Sequence, residues 1–143
     1  MSVEKSNDEG LRWLSTAVDD LQTARILRDN SKFAQCCFYS QQAAEKAIKA
    51  VFYNADQEPW GHSIYKLIQQ LDENGLSIES LRACIEKAKR LDQYYIPTRY
   101  PNGLPGTTPA ESYSRDDAEF GIKAADEIIT IVRVRIGLHD GEL

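Results

Sequence analysis

Long apolar runs are missing from this chain. No stretch approaches the ~18 residues that a membrane-spanning helix needs, and Met1-Ser2-Val3-Glu4-Lys5-Ser6-Asn7-Asp8 carries nothing like the hydrophobic segment of a secretory signal. A cytoplasmic protein with no membrane partner is expected. Histidine is scarce too: His62 and His139 stand far apart, and neither His-x-x-x-His nor Glu-x-x-His occurs, so no metal site is expected. Phosphate-cradling glycine loops, Gly-x-x-x-x-Gly-Lys-Ser/Thr and Gly-x-Gly-x-x-Gly, are both absent, which argues against nucleotide hydrolysis by those routes. No other cofactor signature is present. The three cysteines, Cys36, Cys37 and Cys84, cannot all pair, and adjacent residues on a helix point about 100° apart, so buried free thiols are expected rather than a disulfide.

What remains is ordinary for a globular protein. A chain of 143 residues with 42% hydrophobic and 27% charged residues fits one domain, residues 1–143, with one core. Net charge is −5, which excludes a nucleic-acid footprint spread over the whole surface. Charge is unevenly placed, however. Arg82 to Arg99 carries +3 and Glu111 to Leu143 carries −4, so a local anion site is possible beside the plainer alternative of a solvated helix face with pairs such as Arg82–Glu86–Arg90.

Apolar residues recur at helical spacing in five segments. Leu11, Leu14, Val18, Leu21, Ala24 and Leu27 mark the first, over 8–29. Phe33, Cys37, Ser40, Ala44, Ala47 and Val51 mark the second, after a break at Asn30-Ser31 where Ser31 is placed to cap. Ile64, Leu67, Ile68 and Leu71 make a short third helix ending at Asn74-Gly75, and Ile78, Leu81, Ile85, Ala88 and Leu91 a fourth. Ser114 caps the last, whose stripe runs through Ala118, Ile122, Ala125, Ile129, Val132 and Ile136. Ala124, Ile128 and Ile131 widen that stripe, either to meet a second subunit or because the helix is central in its own core. Short connections favour antiparallel neighbours, so the expected fold is all-α: an up-and-down bundle of four long helices plus one short helix.

Periodicity vanishes between Ile96 and Tyr113, where Pro97, Pro101, Pro105 and Pro109 forbid a continuous helix. A loop of that length in a compact domain is more often functional than not. Its first part, Tyr95-Ile96-Pro97-Thr98-Arg99-Tyr100-Pro101-Asn102, holds an arginine between aromatics on a proline-stiffened backbone. Arg99 with Tyr95, Tyr100 and Asn102 suits a phosphate and a stacked base; the other reading makes Arg99 a clamp on carbonyls or a carboxylate, with the tyrosines filling space. His62 is a candidate anion contact or general base, or else a capping or core residue. Lys46 joins the candidate site because 42, 45, 46 and 49 share one surface of the second helix, expected to face Arg99.

Four segments in order carry a resemblance: Gln41-Gln42-Ala43-Ala44-Glu45-Lys46-Ala47-Ile48-Lys49-Ala50, Gly61-His62-Ser63-Ile64 with Leu67, Tyr95-Ile96-Pro97-Thr98-Arg99-Tyr100-Pro101, and Tyr113-Ser114-Arg115-Asp116-Asp117-Ala118 before an apolar helix. Together, from about Leu11 to Val134, they resemble the HEPN domain (higher eukaryote and prokaryote nucleotide-binding domain). The resemblance implies four main helices and a shorter one, frequent homodimers, and a site where helices two and four meet the following loop. It also implies a partner, since such domains are often encoded beside a minimal nucleotidyltransferase, at times as a toxin–antitoxin pair. Some members are metal-independent ribonucleases whose motif is Arg, four to six residues, then His. Arg99 matches the arginine, but Leu104, Pro105 and Gly106 occupy the histidine's places. The expected function is therefore a module that binds a nucleotide or RNA phosphate and works with a nucleotidyltransferase; the alternatives are a toxin-type endoribonuclease, with His62 supplying the missing imidazole, and a structural adaptor.

Overall fold

The computed structural model describes residues 2–137, so His139 lies outside the described residues. It is an all-helical bundle built on three long helices, α1 (Val3–Asp29), α2 (Phe33–Asn54) and α7 (Arg115–Ile136). Shorter helices α3 (Ile64–Glu73), α4 (Glu79–Arg82), α5 (Ile85–Asp92) and α6 (Pro109–Ser112) complete the order. α2 is the central element, packed against α1 on one side and α7 on the other, with α3 and α5 closing the remaining face.

Small side chains explain the closeness of α1 and α2. Ala43, Ala44, Ala47 and Ala50 of α2 are fully buried, and a Cβ built on Gly10 of α1 would stand 2.8 Å from Cβ of Asn54 and 3.1 Å from the carbonyl oxygen of Ala50. At the other interface a Cβ on Gly121 of α7 would stand 3.1 Å from the Ser40 side chain. Both glycines are helical, where glycine costs about 1 kcal/mol relative to alanine, and close helix contact is what they gain in return.

α1 starts at Val3, capped by Ser2, five residues before the expected position 8, and the other helix boundaries follow the expected chemistry with three departures. The start of α2 is capped by no side chain: Ser31 takes a left-handed conformation (φ 60°) to turn the chain, and Lys32 sits at the cap position. The expected fourth helix over 78–91 is broken at Cys84, whose N–H turns to Leu81 O at 2.9 Å while its thiol takes the Ser80 carbonyl at 3.4 Å. The ladder bond that a continuous helix needs between those residues is thereby replaced. Finally, the proline-rich loop contains a 3₁₀ turn (Pro101–Gly103) and the single-turn α6, each starting on a proline, which needs no donor there. Ser114 caps α7 as expected, reciprocally with Asp117, and Gly137 (φ 89°) ends it.

Two of the three residues that widen the stripe of α7 are consumed inside the bundle, and Ile131 is half-buried at its edge. Ala124 and Ile128 are as buried as Ala118, Ala125 and Val132, so of the two readings of that face the centrally packed one holds for them. The cysteines are free and buried, as their number and spacing imply. Burial pushes the Cys36 thiol up to about 11 and raises those of Cys37 and Cys84. Thiolate is the reactive form, so an alkylating reagent at pH 8 is expected to modify none of the three until the protein unfolds. Mass spectrometry after timed labelling, with and without denaturant, checks this; native-state modification within minutes would contradict it.

Candidate functional site

The site is built from three pieces: the middle of α2, the turn before α3, and the turn that follows α5. Along α2, Phe38, Gln41, Glu45 and Lys49 fall at steps of three and four and so share one face. Gln41, Glu45 and Lys49 are all buried there, on a helix otherwise lined with alanine and aliphatic side chains. Polar groups buried in that way must be satisfied, and they are. The Glu45 carboxylate accepts from Lys49 Nζ at 2.9 Å and Gln41 Nε2 at 3.2 Å, and meets His62 Nδ1 at 3.3 Å. Gln41 also donates to the His62 carbonyl at 3.1 Å. A carboxylate only accepts, so the imidazole presents N–H at Nδ1 and leaves Nε2 for the outside. The His62 side chain is 59% exposed.

The turn carrying His62 is fastened from three helices. Trp60 is held by α3, its N–H donating to Gln70 Oε1 at 2.9 Å and its carbonyl accepting from Gln70 Nε2 at 3.4 Å. His62 is held by α2, as above. Ser63 donates to Asp92 of α5 at 2.7 Å, and the same carboxylate accepts from the first amides of α3, Ile64 N at 2.6 Å and Tyr65 N at 3.1 Å. Asp92 thus neutralises the positive end of α3. Burial pushes its carboxyl pKa up, against those three hydrogen bonds.

After α5 the chain makes one further helical turn. Thr98 donates its hydroxyl to the Tyr94 carbonyl, and Arg99 donates from Nε to the Tyr95 carbonyl at 2.8 Å. That spacing of four lays the Arg99 guanidinium 4.8 Å from the centre of the Tyr95 ring; it also lies 4.5 Å from Phe38 and 5.2 Å from Tyr100. The Tyr95 ring in turn stacks on the His62 imidazole, 5.1 Å between centres with 16° between planes. His62 and Arg99 therefore lie within about 10 Å of each other, joined by one tyrosine.

Electrostatics single out Arg99. Of the five basic residues between 82 and 99, four have a carboxylate within 4 Å: Arg82 with Asp72 (3.7 Å), Lys87 with Glu127 (2.6 Å), Lys89 with Glu86 (3.5 Å) and Arg90 with Asp117 (3.5 Å). Arg99 has none among the described residues. The local excess of positive charge is thus largely neutralised across the bundle, by partners other than an Arg82–Glu86–Arg90 ladder. A cleft of about 600 Å³ lined by Arg90, Tyr94, Tyr95, Tyr113 and Asp117 offers no such cation, because its Arg90 is paired with Asp117 and stacked 3.7 Å over Phe120.

The structure brings together Arg99, Tyr95, Tyr100 and His62 of the expected residues. Asn102 lies beyond them on the exposed 3₁₀ turn. Lys46 turns the other way: one residue on from Glu45 rotates the side chain about 100°, and its Nζ donates to Asp20 of α1 at 2.7 Å. Gln42 borders the network through a 2.8 Å bond to Gln41. Gln41, Glu45, Phe38 and Asp92 position His62 and Arg99; of these only Glu45 was expected to face Arg99, on the surface shared with 42, 46 and 49. The signal for three of them was polar or aromatic character recurring every three or four residues within an apolar helix.

The HEPN domain family matches residues 11–135. The chain belongs to the HEPN family. Among solved structures, this HEPN chain is similar to TT1696 from Thermus thermophilus, at 38% identity and TM-score 0.81 over 89% of this chain and 98% of that one. It is also similar to ST0689, an archaeal HEPN homologue, at 31% identity and TM-score 0.73 over 90% and 98%. A further relative is "Putative toxin MJ1304" of Methanocaldococcus jannaschii, 26% identical over 127 residues, 85% of this chain and 84% of that protein. No helix among the described residues of this HEPN protein is long and apolar enough to cross a membrane, and no group of three or more metal-ligating side chains occurs among them.

Proposed function

We propose that this HEPN protein binds the phosphate of a nucleotide or RNA at Arg99, with Tyr95 and Tyr100 beside it and His62 as second contact, and that it acts as a homodimer with a minimal nucleotidyltransferase as partner. The reading is carried by the guanidinium of Arg99, which is exposed, fixed by Nε and three rings, and without a carboxylate among the described residues. Its remaining N–H donors form the fork that matches a phosphate. The similarity to a protein named as a toxin supports a partner that restrains it. Calorimetric titration with nucleotides and short RNAs tests the reading: saturable binding is expected, and no heat with either ligand at millimolar concentration rejects it.

The Glu45–His62 contact favours a second reading, endoribonuclease. In that chemistry His62 Nε2 takes the proton of a ribose 2′-hydroxyl, the 2′-oxygen bonds to the adjacent phosphorus, the bond from phosphorus to the 5′-oxygen breaks, and that oxygen leaves with a proton from water. Arg99 stabilises the charge gathered on the phosphate oxygens. The imidazole is oriented for this by Glu45, as the motif histidine missing at 104–106 would otherwise have to be. Products would end in a 2′,3′-cyclic phosphate and a free 5′-hydroxyl. Cleavage of a fluorogenic RNA by the wild type that falls at least 100-fold in His62→Ala is expected on this reading, since a general base contributes about 10²–10⁴ in rate; equal cleavage by both proteins excludes His62.

A further inference from the structure

Trp60 is 78% exposed, a costly position for an indole, and nothing about its loop is loose. Both backbone polar groups of Trp60 are clamped by Gln70, Pro59 stiffens the approach, and Gly61 at φ 84° reverses the chain before the doubly anchored His62 and Ser63. The fold therefore holds this ring out in solvent. Its Cα stands at most about 7.6 Å from that of His62, two residues on.

Of the six exposed large hydrophobic residues among those described, Trp60, Ile96 and Tyr100 belong to the two turns that form the site; Val3, Ile26 and Val134 lie on α1 and α7. Trp60 is thus a solitary exposed ring on the turn that carries His62, two residues before the imidazole that stacks on Tyr95, and not part of a contiguous apolar patch of the kind a protein partner covers. The exposed carboxylate Glu58 precedes it by two residues, so a phosphate is disfavoured on that side and an uncharged ring is not. We propose that Trp60 is a base-stacking residue, and that the ligand of the site is a single-stranded RNA segment. One phosphate meets Arg99 and His62, and the base of a neighbouring nucleotide lies on the indole. Stacking of this kind tolerates any base but requires one that is not already paired. The proposal rests on the phosphate reading of Arg99.

The test uses the full chain, a fluorescein-labelled single-stranded hexaadenylate, a fluorescein-labelled blunt G·C-rich RNA duplex of about twelve base pairs, and inorganic pyrophosphate as a base-free probe. Trp60→Ala is expected to weaken binding of the single strand at least tenfold, Trp60→Phe to restore most of it, and neither to change pyrophosphate binding or the melting temperature. Quenching of the wild-type tryptophan emission by the single strand, lost in Trp60→Phe, reports the contact directly; Trp13 remains in both proteins. Single-strand affinity unchanged in Trp60→Ala, or equal affinity for the duplex, overturns the stacking role while leaving the phosphate site intact. Loss of pyrophosphate binding in Arg99→Ala with full binding in Trp60→Ala shows that the phosphate site stands by itself. If the wild type binds neither probe, the phosphate reading fails and the stacking proposal with it.

Discussion

Arg99→Ala is expected to weaken nucleotide or RNA binding by tenfold to a hundredfold while the protein stays folded. A net loss of one charge-assisted hydrogen bond from the guanidinium to a phosphate, with water taking up the rest, costs about 1.5–3 kcal/mol, and 1.4 kcal/mol is a factor of ten. Stability changes less. The side chain is exposed, and what it contributes to the fold is one bond to the Tyr95 carbonyl and stacking on exposed or half-buried rings, together about 1–2 kcal/mol, or about 3–8 °C in melting temperature for a chain of this length. Arg99→Lys keeps the charge and loses the planar fork, so its affinity falls between the two. Calorimetric titration and thermal unfolding of the same preparations separate the roles. A clamp alone would lower the melting temperature and leave affinity, measured well below it, at the wild-type value.

Glu45→Ala is expected to be the most destabilising single change near the site, by about 3–5 kcal/mol or some 10–20 °C. Glu45 is 3% exposed and Lys49 is 9% exposed, so removing the carboxylate strands a buried ammonium and leaves the Gln41 amide and His62 Nδ1 short of an acceptor. The loss comes from the orphaned groups more than from the pair's net worth. The double variant Glu45→Leu, Lys49→Met, which puts apolar side chains of similar size in both places, should recover most of the stability. That double variant should still bind or process RNA poorly, because His62 has lost the group that orients it. Urea unfolding of the single and double variants, followed by binding assays on the double variant, checks both halves. A double variant as unstable as Glu45→Ala would show that the cost lies in packing.

Helix content, the Ser114 cap and most core positions were legible because each rests on local rules, whereas the expected Ser31 cap gave way to a left-handed turn. The 3.6 period located α1, α2, α3 and α7, and the Ser114–Asp117 cap was visible as a pair of residues three apart. The break at Cys84 was not, since no proline or glycine marks it; a thiol taking a carbonyl from the ladder leaves no compositional trace. Arg99, Tyr95, Tyr100 and His62 were recognisable as a set, yet what joins them is tertiary. A pattern on α2 shows that 42, 45, 46 and 49 are near one another, but only packing decides that Glu45 turns toward His62 and Lys46 toward Asp20. Likewise a count of charges between 82 and 99 cannot tell which cations are already paired by helices distant in sequence.

The pairing of the other four basic residues between 82 and 99 has a consequence for how this protein would compete for RNA in a crowded ionic medium. A segment in which only Arg99 lacks a carboxylate among the described residues displaces few condensed counterions from a single strand, about 0.7 for each phosphate neutralised. Association would then respond only weakly to ionic strength, in contrast to proteins that coat nucleic acid with a basic face. Discrimination must come instead from shape and ring stacking, which salt does not screen. An acidic protein of this design gives up bulk attraction to RNA and, with it, the tendency to be occupied by whatever strand is most abundant.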